Sequence, residues 1–229
     1  YQFNEEDAEI SVVVHPEFRR QGIFNRLWLD ATLELHQRGI ESAIFIQHPD
    51  SDSGEACLKA IDAKYFRSES VYRTEAVTPA DESELAIEIA TEEDKSTLAR
   101  IDAVAFESDY DLMMSRLDTT FQDDKRTVYL AKIGKNVIGK VHVLEGDRTL
   151  LHDFALLPDY QGKGYSQQIL QQVMKTLLDD GLGPLYIESQ SDNFKANRLY
   201  RSVGFKVHDT YRHWLYQLGE TYEHQGTLH

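Results

Sequence analysis

Apolar residues recur along the chain at two spacings, and the switches between them outline a fold. Residues 85–91 (LAIEIAT) read as a short strand, and Thr91-Glu92-Glu93-Asp94 has the form of a helix start, a threonine cap followed by acids. Leu98, Ile101 and Ala105 continue that helix, and a second is expected over 109–121 (DYDLMMSRLDTTF). The period then drops to two: TVYLAKI, a Gly-Lys-Asn turn and VIGKVHVLE predict a hairpin, with TLLHDFALL as a third strand. Beyond Pro158, the residues Ile169, Leu170, Val173, Met174, Leu177 and Leu178 form one apolar face at 3.6-residue spacing, ended by Gly181 and Gly183. LYIES is a further strand, 193–203 a short helix closed by Gly204, and the remainder suits two closing strands. The order strand, helix, helix, three antiparallel strands, helix, strand, helix, strand describes an α+β domain.

The beginning of the chain repeats part of this pattern. SVVVHPEFRRQGIFNRLWLDATLELHQRG lies on DFALLPDYQGKGYSQQILQQVMKTLLDDG with a constant shift of 142, pairing Pro16 with Pro158, Phe18 with Tyr160, Gly22 with Gly164 and Gly39 with Gly181. Ile23, Leu27, Ala31 and Leu35 form the corresponding stripe, SAIFIQH a strand and SGEACLKAIDAKYF a second short helix. Only 15 residues precede the proline in this copy, so it lacks counterparts of the opening helices and strands. The expected organisation is an incomplete, degenerate copy over 1–75, a polar linker over 76–84 that contains Pro79, and a complete domain over 85–229.

Charge narrows the partners. Lys plus Arg number 24 against 39 for Asp plus Glu, and the net charge of -15 repels a nucleic-acid duplex or an anionic membrane while favouring a cationic substrate. A hydrophobic fraction of 41% supports a packed core rather than disorder. Cys57 is the single cysteine, which excludes an internal disulfide and fits a cytoplasmic location. No apolar run approaches the ~18 residues of a membrane span. The chain opens on Tyr1 rather than Met, so the natural start is expected upstream. The nine histidines show no metal-ligand spacing, and no metal is expected.

The chemistry concentrates in LPDYQGKGYS (157–166), where a strand hands over to a helix and two glycines flank a lysine. A helix start has unpartnered amides and a dipole that favours an anion, and glycine lets the backbone approach a phosphate closely. A Walker A loop fails on spacing, and a dinucleotide fingerprint fails because position 167 is Gln. Gln161-x-x-Gly164-x-Ser166, together with Asn193-x-x-Ala196-x-x-Leu199-Tyr200-x-x-x-Gly204-Phe205, resembles the two coenzyme motifs of the GNAT N-acetyltransferase superfamily. Ser166 departs from the family's usual Gly or Ala.

That resemblance implies a GNAT fold, a mixed and mostly antiparallel sheet flanked by helices, in two tandem copies as in tandem bacterial acetyltransferases. It implies acetyl-CoA as co-substrate, no metal, and direct acetyl transfer to a primary amine on a small molecule or peptide. Backbone groups of Phe154, Ala155 and Leu156 would pair with pantetheine between two splayed strands. Gln161, Gly162, Lys163, Gly164, Tyr165, Ser166 and Gln167 would hold the pyrophosphate, with Asn193 and Tyr200 on the other side of the coenzyme. Tyr200 stands where the family places the acid for the leaving thiolate, and Glu188 matches the catalytic glutamate of ribosomal-protein alanine N-acetyltransferases; Asp153 and His152 are rival bases. Blander roles compete: a tight turn for the glycines, a solvated Lys163, a helix cap for Asn193, a buried aromatic for Tyr200, a polar strand residue for Glu188. In the first copy Arg19 and Gly22 persist, Phe24 takes the last small position, Ser53 and Ala56 stand for Asn193 and Ala196, and no tyrosine matches Tyr200. That copy is expected to be non-catalytic, either CoA-binding or purely structural. An acyl-CoA-binding or sensory module without turnover is the alternative for the chain as a whole.

Overall fold

The computed structural model describes residues 7–79 and 84–219. In chain order the strands are β1 (Asp7–Ile10), β2 (Ser42–Gln47), β3 (Lys64–Thr74), β4 (Leu85–Ile89), β5 (Arg126–Ile133), β6 (Asn136–Leu144), β7 (Thr149–Leu156), β8 (Leu185–Gln190) and β9 (Lys206–Gln217). The helices are α1 (Ile23–Gln37), α2 (Asp52–Ala60), α3 (Lys95–Ala105), α4 (Tyr110–Phe121), α5 (Tyr165–Asp179) and α6 (Phe194–Ser202). Contacts divide the chain into two compact units, one holding residues up to Glu69 together with those from Thr210 onward, the other Ser70–Asp209.

In the first unit β1 runs parallel to β2, from Asp7↔Ser42 to Ile10↔Phe45, and the C-terminal half of β9 pairs antiparallel with β2 from Ser42↔Gln217 to Gln47↔Arg212. The chain end thus forms one long strand instead of the two short ones expected. The Trp28 indole meets Phe45 and Tyr216 edge-on, with ring centroids 5.1 and 5.0 Å away, and Leu35, Ala43, Leu58 and Trp214 close the core around it. The predicted stripe on α1 is kept at Leu35 and at Ala31, which packs against this core, but fails at Leu27. Trp28, Thr32 and Leu35 are buried, whereas Leu27 is 46% exposed, because the indole is the largest apolar group available and sets which face turns inward.

In the second unit the strands follow the order β4-β5-β6-β7-β8, antiparallel except for β7 beside β8. The predicted α5 stripe packs on one face: Leu170, Val173, Met174 and Leu177 are sealed against Val141, Val143, Leu151 and Ile187. Each such side chain contributes roughly 1.5–3 kcal/mol by leaving water. On α3 and α4, Leu98, Ala99, Met113 and Leu117 cover Val128 and Leu130. The start at Thr91 forms as expected, its amide donating to Asp94 Oδ2 at 2.9 Å. Of the segment expected as a linker, residues 80–83 lie outside the described residues. The preceding stretch is bound: Gln171 Nε2 donates to the Thr78 and Pro79 carbonyls at 3.1 and 3.0 Å, and the Thr78 hydroxyl donates to the Ser202 carbonyl at 3.1 Å.

The shift of 142 found in the sequence also relates the backbones. Helices α1 and α5 each have 15 residues and follow matching 3-10 turns, Pro16–Phe18 and Pro158–Tyr160, while α2 and α6 each have 9. Positive φ angles coincide at Arg20 and Gly162 (61° and 73°), Gly22 and Gly164 (77° and 85°), and Asp62 and Gly204 (64° and 115°). In this register Ser51, and not Ser53, corresponds to Asn193: each caps the second helix by accepting from the amide three residues on, that of Gly54 or Ala196.

Candidate active site

Strands β7 and β8 start as neighbours and then part. Their register covers only Thr149↔Leu185, Leu150↔Tyr186 and Leu151↔Ile187, after which β7 continues to Leu156 and β8 to Gln190 unpaired with each other. On its other edge β7 stays bound to β6, but the register slips between Lys140 and His142, and Asp153 adopts φ 45° in the resulting bulge. Gly139 permits the close approach there, since a Cβ on it would lie 2.6 Å from the Ala155 carbonyl oxygen. The open edge that runs through Phe154, Ala155 and Leu156 is the feature an extended chain needs in order to add as a strand.

At the end of that edge lies the glycine turn. Gly164 is the N-cap of α5 with φ 85°, and Gly162 has φ 73°, so both positions need the conformation glycine adopts freely. A Cβ on either would meet open space, so the space above the turn is available to a ligand. Gln161 serves the turn itself: its side chain donates to the Leu156 carbonyl at 2.9 Å and its amide to the Pro158 carbonyl at 3.1 Å. The Gln167 amide likewise donates to the Gly164 carbonyl at 3.1 Å. Among the described residues, the amides of Gly162, Lys163, Gly164, Tyr165 and Ser166 have no partner, and this set is suited to an anion. The Lys163 ammonium lies 5.8 Å from the Tyr160 ring centre, and the Tyr160 and Tyr165 rings are neighbours.

Helix α6 carries the second motif. Asn193 caps it, its Oδ1 accepting from Ala196 at 3.1 Å, so the helix-cap role predicted for it is realised. Tyr200 is buried between Tyr72 and Phe205, and burial, with Tyr72 as the lesser cause, pushes its phenol up to about 12. Its hydroxyl has no partner among the described residues, yet it is not one of the buried polar atoms sealed from solvent. Asn197, which the sequence reading passed over, ties α6 to the end of β8 by donating to the Gln190 and Ser191 carbonyls at 3.2 and 3.1 Å.

A polar chain lies on the α3 side of the bulge. Asp102 and Lys140 pair at 2.7 Å, Lys140 Nζ is 2.9 Å from His142 Nε2, the His142 and His152 rings are 5.4 Å apart, and His152 Nδ1 meets Asp153 Oδ2 at 3.1 Å. Burial pushes Asp102 up and Lys140 down, each against the pull of the other. Burial first, then Lys140, lowers His142 to about 3, so its ring is neutral. The hydrogen bond from His152 holds Asp153 well below the usual carboxylate range. His152 Nε2 is buried without a partner. The structure thus brings His142, His152 and Asp153 together although no metal-ligand spacing was visible, because the ten-residue separation of the histidines becomes a cross-strand pair only in this register. Lys140 already occupies His142 Nε2, which makes the set a poor cation site. Glu188 stands apart, on the exposed part of β8, in an ion pair with Arg148 at 2.8 Å; Arg148 also lies over the Tyr186 ring.

Residues 89–205 match the family model described as Acetyltransferase (GNAT) family. The chain belongs to the GNAT acetyltransferase family. As a GNAT protein it is an acyltransferase, and its family uses acetyl-CoA. An uncharacterised N-acetyltransferase of Mycobacterium tuberculosis is 27% identical over 104 residues, which span 44% of this chain and 67% of the relative. The N-alpha-acetyltransferase RimI of the same organism is 28% identical over 133 residues, 56% of this chain and 82% of that one. The solved tandem GNAT protein from the clavulanic acid biosynthesis pathway superposes with a TM-score of 0.74 at 15% identity, covering 94% of this chain and 76% of its own. A GCN5-related N-acetyltransferase from Sphaerobacter thermophilus gives 0.72 at 16% identity, covering 90% and 71%. The α+β architecture is therefore that of these solved GNAT structures, the first of which is a tandem GNAT protein. Among the described residues, no helix is long and apolar enough to cross a membrane.

Proposed function

We propose that the second unit transfers the acetyl group of acetyl-CoA directly to a primary amine, without a covalent enzyme intermediate. The observation that carries this reading is the unpaired edge of β7, which leads to five partnerless amides at the start of α5. Pantetheine fits the open edge beside Phe154, Ala155 and Leu156, and the pyrophosphate fits the amides of Gly162, Lys163, Gly164, Tyr165 and Ser166. Gln161 and Gln167 shape the turn, and Asn193 keeps its side-chain amide free for the coenzyme while its oxygen caps α6.

Acetyl-CoA supplies the thioester. The amine nitrogen bonds to the acetyl carbon, the carbon–sulfur bond breaks, the amine proton goes to a base, and the departing sulfur takes a proton. Tyr200, protonated up to about pH 12, gives that proton. For the base, His152 is favoured over Glu188. Asp153 holds the His152 Nδ1 proton, which leaves Nε2 as an acceptor with no other partner; Nε2 is buried in this conformation, so a turn of the partly exposed ring is needed to bring it to an amine. Glu188 is exposed, and its carboxylate is already engaged by Arg148 at 2.8 Å. Asp153 holds its contact to His152 from a strained backbone, φ 45°. N-terminal peptide amines are the first acceptors to test, since the relative RimI bears the name N-alpha-acetyltransferase.

The test is thiol release from acetyl-CoA with a panel of peptides, polyamines and aminoglycosides. Release that depends on the amine, falls with Tyr200→Phe and His152→Gln, and largely survives Glu188→Gln supports the assignment. Coenzyme binding with no amine-dependent release, indifferent to Tyr200→Phe, makes the chain an acyl-CoA sensor instead.

A further inference from the structure

The first unit contains a cavity of about 810 Å³, lined by residues that include Val12, Val14, Phe24, Phe45, Ile46 and Leu58. Its position is that of the coenzyme cleft transposed by 142 residues. The pairing of β1 with β2 stops at Ile10↔Phe45, and Val12, Val13 and Val14 continue along the opening. Gly22 caps α1 with φ 77°, as Gly164 caps α5. The pinning hydrogen bond recurs with a different residue: Arg19 Nε donates to the Val14 carbonyl at 3.1 Å, where Gln161 donates to Leu156. The Arg19 amide donates to Pro16 as the Gln161 amide does to Pro158. Among the described residues the amides of Arg20 through Phe24 have no partner, and Arg19 and Arg20 add positive charge at this end.

The other end has changed in character. Leu58 occupies the place of Tyr200, and Phe45 and Ala60 continue an apolar lining. Among the described residues no phenol lines the cavity to protonate a leaving sulfur, and apolar side chains make up most of its lining, with Gln47, His48, Ser51 and Ser53 among them. We propose that this cavity binds acyl-CoA thioesters whose acyl chain is longer than acetyl, and holds them without transfer. The cradle takes the pyrophosphate, the opening beside Val12, Val13 and Val14 takes pantetheine, and the apolar end takes the acyl chain. Each methylene buried there contributes ~0.8 kcal/mol, about fourfold in affinity, so even partial burial of the six extra methylenes of octanoyl over acetyl exceeds tenfold.

Calorimetric titration of the full chain with CoA, acetyl-CoA and octanoyl-CoA tests this, using the wild type, Gly164→Val and Gly22→Val. We expect Gly164→Val to keep one site per chain that prefers octanoyl-CoA to CoA by at least tenfold, and Gly22→Val to lose that site. Ile46→Glu, at an exposed position in the lining, is expected to erase the octanoyl preference with an unchanged circular dichroism spectrum, so the result does not hang on Gly22→Val folding. Loss of all binding in Gly164→Val, or octanoyl-CoA binding no tighter than CoA in that variant, overturns the proposal and leaves the second-unit reading intact. A single wild-type site that survives Gly164→Val but not Gly22→Val supports it while refuting the second-unit reading.

Discussion

Burial keeps the Tyr200 phenol protonated up to about pH 12, so its ionisation lies outside any working range. Tyr200→Phe is expected to lower kcat by roughly 10²-fold or more while the KM for acetyl-CoA stays near wild type, as measured by initial rates of thiol release. A fall in KM sensitivity with unchanged kcat would assign Tyr200 to packing alone. His142 makes a second residue-level prediction. Its folded pKa of about 3 lies below the unfolded value near 6.5, so the unfolded chain binds the extra proton first. The stability it contributes is full above pH 6.5 and is lost as pH falls toward 3, with a slope of up to about 1.4 kcal/mol per pH unit. Urea denaturation at pH 7 and pH 5 should show that loss in the wild type and a smaller one in His142→Gln. Asn193 and Tyr200 were legible in the sequence because their spacing is local to one helix. His142 facing His152 was not, because it depends on a cross-strand register set by a bulge.

At the scale of elements, Gly139 lets β6 approach β7 closely along the stretch where β7 no longer pairs with β8. Gly139→Ala places a methyl against the Ala155 carbonyl and Leu156, at 2.6 and 3.0 Å in the present backbone, so β7 must shift. We expect a destabilisation of ~1–3 kcal/mol and weaker acetyl-CoA binding, both readable from denaturant melts and calorimetry of one variant. The Asp102–Lys140 pair that joins α3 to β6 is buried, and removing one partner strands the other. Asp102→Ala should therefore cost about 3–5 kcal/mol, and Asp102→Leu with Lys140→Met should recover most of it. Apolar spacing and run length located β4 to β8 and α3 to α6 without the structure, although β5 and β6 are runs buried on both faces and not alternating strands. The same signals failed at Leu27 of α1, where one indole outweighs the regular spacing, and they divided β9, whose polar residues HDTYRH interrupt the alternation of a strand shared by both units.

Across the whole molecule, the shift of 142 is the organising fact. It was legible from four aligned prolines, aromatics and glycines, but its full extent was not. Arg20 and Asp62 adopt the left-handed conformation of Gly162 and Gly204, and Ser51 takes the capping role of Asn193, so the backbone has kept what the residue types conceal. The second copy carries Tyr200 where the first carries Leu58, and it is on this difference that we propose transfer for the second unit alone. The net charge of -15 favours a cationic acceptor, whose KM should rise with added salt in the same thiol-release assay. The most direct test follows the acetyl group itself, using acetyl-CoA labelled in the acetyl carbon and the amine panel. The account predicts label in an amide on the acceptor, one free CoA thiol for each label, and loss of both in Gly164→Val. Label that remains on CoA, settles on the protein, or reaches the acceptor equally well in Gly164→Val would contradict it.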